Sequence, residues 1–261
     1  MEVRLTTSIF LWRVLMYKLL AIDLDGTLLS ERKTISRENH YWLQKAADAG
    51  MIISFATGRG IPTVEKYLAE LKIDVAMVLT NGAEIWANRN QLLERHFIDE
   101  EDIRRLHQLA TEHKAHYWGY STDGMYRRQN WKKKLFAYPW LKFGIRHNDL
   151  NVIEELRETV RQWGTLEVTY AAPVNMELTA KGISKASGVA RLCQHLGITM
   201  DEVIAIGDSH NDAALFQEVG LAVAMGNAEP QIKQIAHLET LSENESGVAH
   251  AIEHFVLGKS S

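Results

Sequence analysis

The feature that most constrains this chain is an alternation of short apolar runs with longer amphipathic stretches. The runs are Leu19-Leu20-Ala21-Ile22, Met51-Ile52-Ile53-Ser54-Phe55-Ala56, Val75-Ala76-Met77-Val78-Leu79, Val203-Ile204-Ala205-Ile206 and Leu221-Ala222-Val223-Ala224-Met225. Such a run reads as a strand buried on both faces. The stretches between them carry helix signals. Ser36 is an N-cap, and its helix runs to about Ala49 with Gly50 as the stop. Pro62 suits a first turn, and Val64, Leu68 and Leu71 then share a face. Further helices are predicted over Ser184–Leu196, Asp212–Glu218 and Val248–Val256. A hairpin of Glu84-Ile85-Trp86 against Leu92-Leu93 follows the turn Asn81-Gly82. Repeated βα units predict a parallel sheet covered on both sides.

The middle of the chain differs. From Phe97 to Thr179 it is rich in aromatic residues: Trp118, Tyr120, Tyr126, Trp131, Tyr138 and Trp140. One predicted helix carries Ile103, Leu106 and Ala110. Another carries Ile153, Leu156, Val160 and Trp163. Strands are predicted at Ala115–Tyr120, Met125–Gln129, Leu166–Ala171 and Asn175–Leu178, the first two joined at Thr122-Asp123-Gly124. This reads as a separate α/β module inserted into the main sheet.

Polar residues follow several of the apolar runs: Asp23 and Asp25, then Thr57, Asn81 and Asp208. The C-terminal ends of strands in an open α/β sheet are where ligands bind. Asp23 and Asp25 stand two residues apart, so strand alternation puts them on one side, and Gly26 lets the backbone turn. Paired carboxylates repel unless a cation lies between them, and a hard oxygen-ligated ion such as Mg²⁺ fits. Lys185, at the start of a helix, can reach an anion held at the same edge.

The set, in this order, resembles the haloacid dehalogenase superfamily. Asp23-Leu24-Asp25-Gly26-Thr27-Leu28-Leu29 looks like its motif I and Ala56-Thr57-Gly58-Arg59 its motif II. Lys185 in Gly182-Ile183-Ser184-Lys185 looks like motif III, and Gly207-Asp208-Ser209-His210-Asn211-Asp212 like motif IV. The insertion between motifs II and III is similar to that of the Cof-type phosphatases, as are Asn81-Gly82-Ala83 and Met225-Gly226-Asn227-Ala228. The likeness runs from Met16 to about Phe255. It implies an α/β fold: a Rossmann-like parallel-sheet core from residues 1–96 and 180–261, with an inserted α/β cap domain over 97–179.

The resemblance also implies roles. Asp23 is the nucleophile, forming an aspartyl-phosphate. Asp25 protonates the leaving oxygen and then activates water, which calls for a raised pKa. Mg²⁺ is held by the Asp23 carboxylate, the Asp25 backbone carbonyl and Asp208. Thr57, Gly58, Lys185 and Asn211 hold the phosphate, with Asp212 and Thr27 in support. A cap closes over the site and selects the substrate. Arg59, Tyr126 and Arg128 are candidate substrate contacts, beside Tyr120, Arg127 and Trp131. His210, variable in the family, is expected at a surface or helix start, and Lys132-Lys133-Lys134 as a solvated face.

The function implied is a Mg²⁺-dependent phosphatase for small phosphorylated metabolites, such as sugar phosphates or phosphorylated cofactors. A phosphomutase and a non-enzymatic phosphate-sensing module are the alternatives. Gly58-Arg59-Gly60 starts like a dinucleotide motif, but Thr63 stands where its third glycine would be. The net charge of −4 speaks against a nucleic-acid surface. Cys193 is the single cysteine, which excludes an intrachain disulfide and fits a reducing, cytoplasmic setting. Its spacing from Val189, Leu192 and Leu196 reads as a buried apolar position. No run approaches the roughly 20 apolar residues of a membrane span. Met16 is an alternative start, with residues 1–16 as an extension, and a monomer or weak homodimer is expected.

Overall fold

The computed structural model describes residues 16–258. The expected N-terminal extension therefore falls almost wholly outside the described residues. The central strand, β1 (Leu19–Ile22), is buried at every position. It pairs in parallel with β2 (Ile52–Ala56) on one side and β11 (Val203–Gly207) on the other. Beyond β2 lies β3 (Val75–Leu79), also parallel. Beyond β11 lie β12 (Leu221–Ala224) and the short β13 (Leu238–Glu239). An antiparallel hairpin, β4 (Glu84–Asn88) and β5 (Gln91–Arg95), closes the opposite edge. The order is β13-β12-β11-β1-β2-β3-β4-β5.

The helices that cover this sheet are α1 (Arg37–Asp48), α2 (Ile61–Leu71), α5 (Lys185–Leu196), α6 (Ala213–Glu218), α7 (Pro230–Ile235) and α8 (Gly247–Ala251). Ser36 caps α1, its Oγ accepting from Asn39 N–H at 3.1 Å. α7 and β13 lie outside the sequence-based expectations, because neither is long enough to show a period. Among the described residues no helix is long and apolar enough to cross a membrane.

A second sheet lies between β5 and α5 in the chain. Its strands are β6 (His116–Ser121), β7 (Gly124–Arg127), β8 (Trp140–Arg146), β9 (Leu166–Thr169) and β10 (Asn175–Ala180). The order is β7-β6-β8-β10-β9, antiparallel throughout. Helices α3 (Glu100–Glu112) and α4 (Leu150–Trp163) pack on one face. There Ile103, Leu106, Ile153 and Leu156 meet Phe143, Ile145, Met176 and Leu178. The sequence reading has no strand at β8, although β8 is the centre of this sheet. Pro139 before it and Gly144 within it read as breakers, yet Lys142-Phe143-Gly144-Ile145-Arg146 alternates with period two.

Candidate active site

The order β11-β1-β2 sets three strand ends side by side. Asp23 continues the sheet hydrogen bonding, its N–H donating to the Ile206 carbonyl at 3.0 Å. Thr57 does the same toward Val78 at 2.9 Å. Two glycines permit the close approach. Gly26 has φ +81°, and a Cβ there would lie 2.5 Å from Asp208 Oδ2. Gly82 has φ +97°, and a Cβ there would lie 2.1 Å from the Ser184 carbonyl oxygen. The second glycine lets the start of α5 settle on the end of β3, where Ser184 caps the helix.

Lys185 is thereby wholly buried. Its Nζ is 2.9 Å from Asp23 Oδ1 and 2.8 Å from Asp212 Oδ1, and it donates to Asn211 Oδ1 at 3.2 Å. Asp212 Oδ2 also accepts from the backbone N–H groups of Asp208 and Ser209, each at 3.2 Å. Thr27 Oγ1 donates to Asp208 Oδ1 at 2.8 Å. Oxygen atoms of Asp23, Asp208 and Asp212 all lie within 4.8 Å of one another.

One ammonium therefore faces three carboxylates. Burial pushes Asp23 up to about 6; Lys185 lowers it and Asp212 raises it. Burial, then repulsion from Asp23 and Asp212, pushes Asp208 up to about 8. Burial works against the Lys185 charge, but Asp212 and Asp23 outweigh it and raise its pKa above the usual range. The surplus of negative charge is what a divalent cation would neutralise. Asp212 is already engaged by Lys185 and two N–H groups, which leaves Asp23 and Asp208 as the carboxylates free to hold such an ion.

Asp25 corrects an expectation. Its carboxyl is lowered to about 2, not raised: burial raises it, but hydrogen bonds from Arg59 and Lys33 outweigh that. Arg59 grips it with two parallel bonds, Nε to Oδ2 at 2.6 Å and Nη2 to Oδ1 at 2.7 Å. Lys33 Nζ adds a third at 2.7 Å. In this arrangement Asp25 is a carboxylate, and the same contacts assign Arg59 to it.

A cavity of about 290 Å³ opens above these groups. Asp23, Asp25, Thr57, Gly58, Asp208 and Asn211 line it from the parallel sheet. Trp118, Tyr120, Lys142 and Glu177 line it from the second sheet. Lys142 is buried; its Nζ donates to the Gly58 carbonyl at 2.6 Å and to Glu177 Oε1 at 2.8 Å. Asn81 Nδ2 donates to Glu177 Oε2 at 2.7 Å, so this strand-end residue links the two sheets. Lys142 and Glu177 were missed in the sequence. Their signal was a charge inside an apolar strand run: Lys142 between Leu141 and Phe143, Glu177 between Met176 and Leu178.

Other candidates fall elsewhere. The Tyr126 ring packs edge-on to Tyr138 and Trp140, both at 5.7 Å, within the module's aromatic core. Arg128 Nη1 donates to the carbonyls of Lys114 and Ala115, at 3.2 and 3.3 Å, and so fastens the turn before β6. Trp131 stacks on Trp140 at 4.7 Å. His210, expected at a surface or helix start, opens the short turn that leads into α6; it is half-buried and stacked at 3.9 Å on Tyr170, just past β9. Lys132 and Lys134 are exposed, and Cys193 is buried, its thiol pushed up to about 11 by burial.

A parallel sheet with strand-end carboxylates around a buried lysine, roofed by an inserted antiparallel sheet, defines a hydrolase built to handle phosphate esters. The model of the haloacid dehalogenase-like hydrolases matches residues 20–143 and 132–252, and the chain belongs to that family. It is 38% identical over 240 residues to the 5-amino-6-(5-phospho-D-ribitylamino)uracil phosphatase YcsE of Bacillus subtilis strain 168, covering 92% of this chain and 96% of that one. It is 31% identical to the putative phosphatase YxeH of the same organism, covering 94% and 100%. Among solved structures, a haloacid dehalogenase-like hydrolase from B. subtilis superposes with TM-score 0.84 at 25% identity, covering 91% and 99%. The chain is accordingly an enzyme of the phosphatase class.

Proposed function

We propose that this enzyme is a Mg²⁺-dependent phosphatase of small phosphorylated metabolites, acting through an aspartyl-phosphate on Asp23. The observation that carries the reading is the Lys185 Nζ contact with Asp23 Oδ1 at 2.9 Å, beside Asp208 at the floor of a cavity. A buried carboxylate held by an ammonium is oriented for attack on phosphorus. Thr57, Gly58 and Asn211, which line the cavity, would donate to phosphoryl oxygens as charge develops, and Lys185, held between Asp23 and Asp212, would add its charge from beneath. The ion, held by Asp23 and Asp208, would supply charge neutralisation of the phosphoryl group. Asp25, once it has taken a proton from solvent, would give it to the leaving oxygen and then take one from the attacking water. For that, the incoming phosphate must draw Arg59 and Lys33 off the Asp25 carboxylate, which an anion of higher charge favours.

The first substrate to test is the one in its relative's name, a ribitylamino-pyrimidine phosphate. The experiment is phosphate release by the wild type and Asp23→Asn, each with and without Mg²⁺. The expected result is turnover only in the wild type with Mg²⁺, with both proteins folded by circular dichroism. Turnover by Asp23→Asn at the wild-type rate overturns the mechanism.

A further inference from the structure

One face of the second sheet packs on α3 and α4. The opposite face carries a row of side chains set by strand register. Tyr120 stands opposite Lys142, Trp118 opposite Gly144 and His116 opposite Arg146. On the other side of β6, Met125 stands opposite Tyr120 and Arg127 opposite Trp118. A second cavity, of about 550 Å³, lies along this face, lined by His116, Trp118, Met125, Arg127, Arg146 and Asn175 among others. Trp118 and Met125 line both cavities, so the two are parts of one cleft that continues away from Asp23.

The middle of that cleft is built for a flat group. A Cβ on Gly144 would lie 2.2 Å from Trp118 Cε2, 2.3 Å from Cζ2 and 2.7 Å from Nε1. The indole thus lies across the glycine, close against the strand. Aromatic faces of this kind stack on planar rings. Arg127, level with the indole, and Arg146, at the far end, are exposed. Neither guanidinium has a carboxylate partner among the described residues, whereas Arg59, Arg95, Arg157 and Arg191 each have one. Strand geometry sets the scale: Trp118 is about 7 Å along the sheet from Tyr120, and Arg146 about 14 Å from Lys142.

We propose that the leaving group of the substrate lies along this cleft, its planar ring on Trp118 and its carbonyl acceptors toward Arg127 and Arg146. The substrate class is a phosphate monoester whose leaving group carries a flat, carbonyl-bearing heterocycle. The inference rests on the phosphatase reading and specifies which residues select the ester.

The test compares hydrolysis of 5-amino-6-(5-phospho-D-ribitylamino)uracil and of ribitol 5-phosphate, the same linker without the ring. The readout is the ratio of the two kcat/KM values in wild type, Trp118→Ala, Trp118→Phe and Arg146→Gln. The wild type is expected to favour the ring-bearing ester. Trp118→Ala should cut the ratio about tenfold to a hundredfold, as loss of one aromatic stack does, and Trp118→Phe should keep most of it. Arg146→Gln, an exposed change that leaves folding intact, should lower the ratio severalfold through KM. A wild-type ratio near one, or a ratio unmoved by both Trp118→Ala and Arg146→Gln, overturns the proposal. So does a wild type that prefers a second phosphate at the far end to the ring. These results are separate from the Asp23→Asn test, because each needs measurable turnover; an enzyme inert on every ester refutes the phosphatase reading itself.

Discussion

Asp208 is held at a cost in stability, and the cost depends on pH in a way that can be measured. Its carboxyl is pushed from 3.8 to about 8 by burial and by Asp23 and Asp212. A carboxylate whose pKa is higher in the folded than in the unfolded protein binds its proton more tightly when folded. Stability is then greatest below the unfolded value and falls as pH rises from about 4 to about 8. The limiting slope is about 1.4 kcal/mol per pH unit, so the raised pKa of Asp208 costs at most about 4 kcal/mol at about pH 7. Readjustment of Lys185 and water entry at this partly exposed group reduce that to roughly 2 kcal/mol.

Asp208→Asn keeps the shape, keeps an acceptor for Thr27 Oγ1 and removes the charge. In metal-free protein the variant should therefore be more stable than the wild type at about pH 7.5, by roughly 4–8 °C in Tm for a chain of this size. The gap should close toward about pH 4.5, where the unfolded chain's carboxyl also takes up its proton and the two states no longer differ. Added Mg²⁺ should raise the wild-type Tm and close the gap from the other side, because only the intact carboxylate binds the ion well. The assay is thermal unfolding of chelator-treated proteins across this pH range, then with Mg²⁺. A variant less stable than wild type at neutral pH, or a gap that does not change with pH, refutes the electrostatic account of this cluster.

Two further outcomes follow from the same geometry. Lys185→Met leaves Asp23 and Asp212 buried without their ammonium, and should cost about 3–5 kcal/mol in urea unfolding and at least a hundredfold in kcat. Arg59→Gln removes the partner that does most to lower Asp25, so the alkaline limb of kcat/KM against pH, where Asp25 must hold a proton, should shift to higher pH.

How much of this was legible in the sequence depends on the period of each signal. The inner parallel strands are buried on both faces, so they are apolar almost throughout, Ser54 apart, and stand out without any knowledge of their neighbours. The groups at their ends, Asp23, Thr57 and Asp208, then lie together because the strands are adjacent. The second sheet is covered on one face only, and there a shift of one residue reverses every side chain. Of the expected substrate contacts, Arg127 and Arg128 line the second cavity, while Tyr126 turns into the aromatic core and its neighbour Met125, not a candidate, faces the cavity. The state of Asp25 was not legible either. It is set by Lys33 and Arg59, which lie 8 and 34 positions away and approach only when the loop after β1 and the end of β2 fold together.

The two halves of the cleft obey opposite rules of partnership. On the parallel sheet, Lys185, Asp23 and Asp212 satisfy one another in full burial, so their positions are fixed before substrate arrives, as preorganised catalysis requires. On the second sheet, Arg127 and Arg146 are exposed and have no carboxylate partner among the described residues, so they can answer to a ligand. The halves meet at hydrogen-bonded links that include Lys142 to the Gly58 carbonyl and Asn81 to Glu177. Each is charge-assisted, worth about 1.5–3 kcal/mol when closed. Opening hands both to water, so the net cost of separating the sheets is much smaller than that sum. Lys142 and Glu177 keep their own 2.8 Å contact throughout, because both belong to the second sheet. Were the two sheets to separate, that internal pair would leave neither charge standing alone.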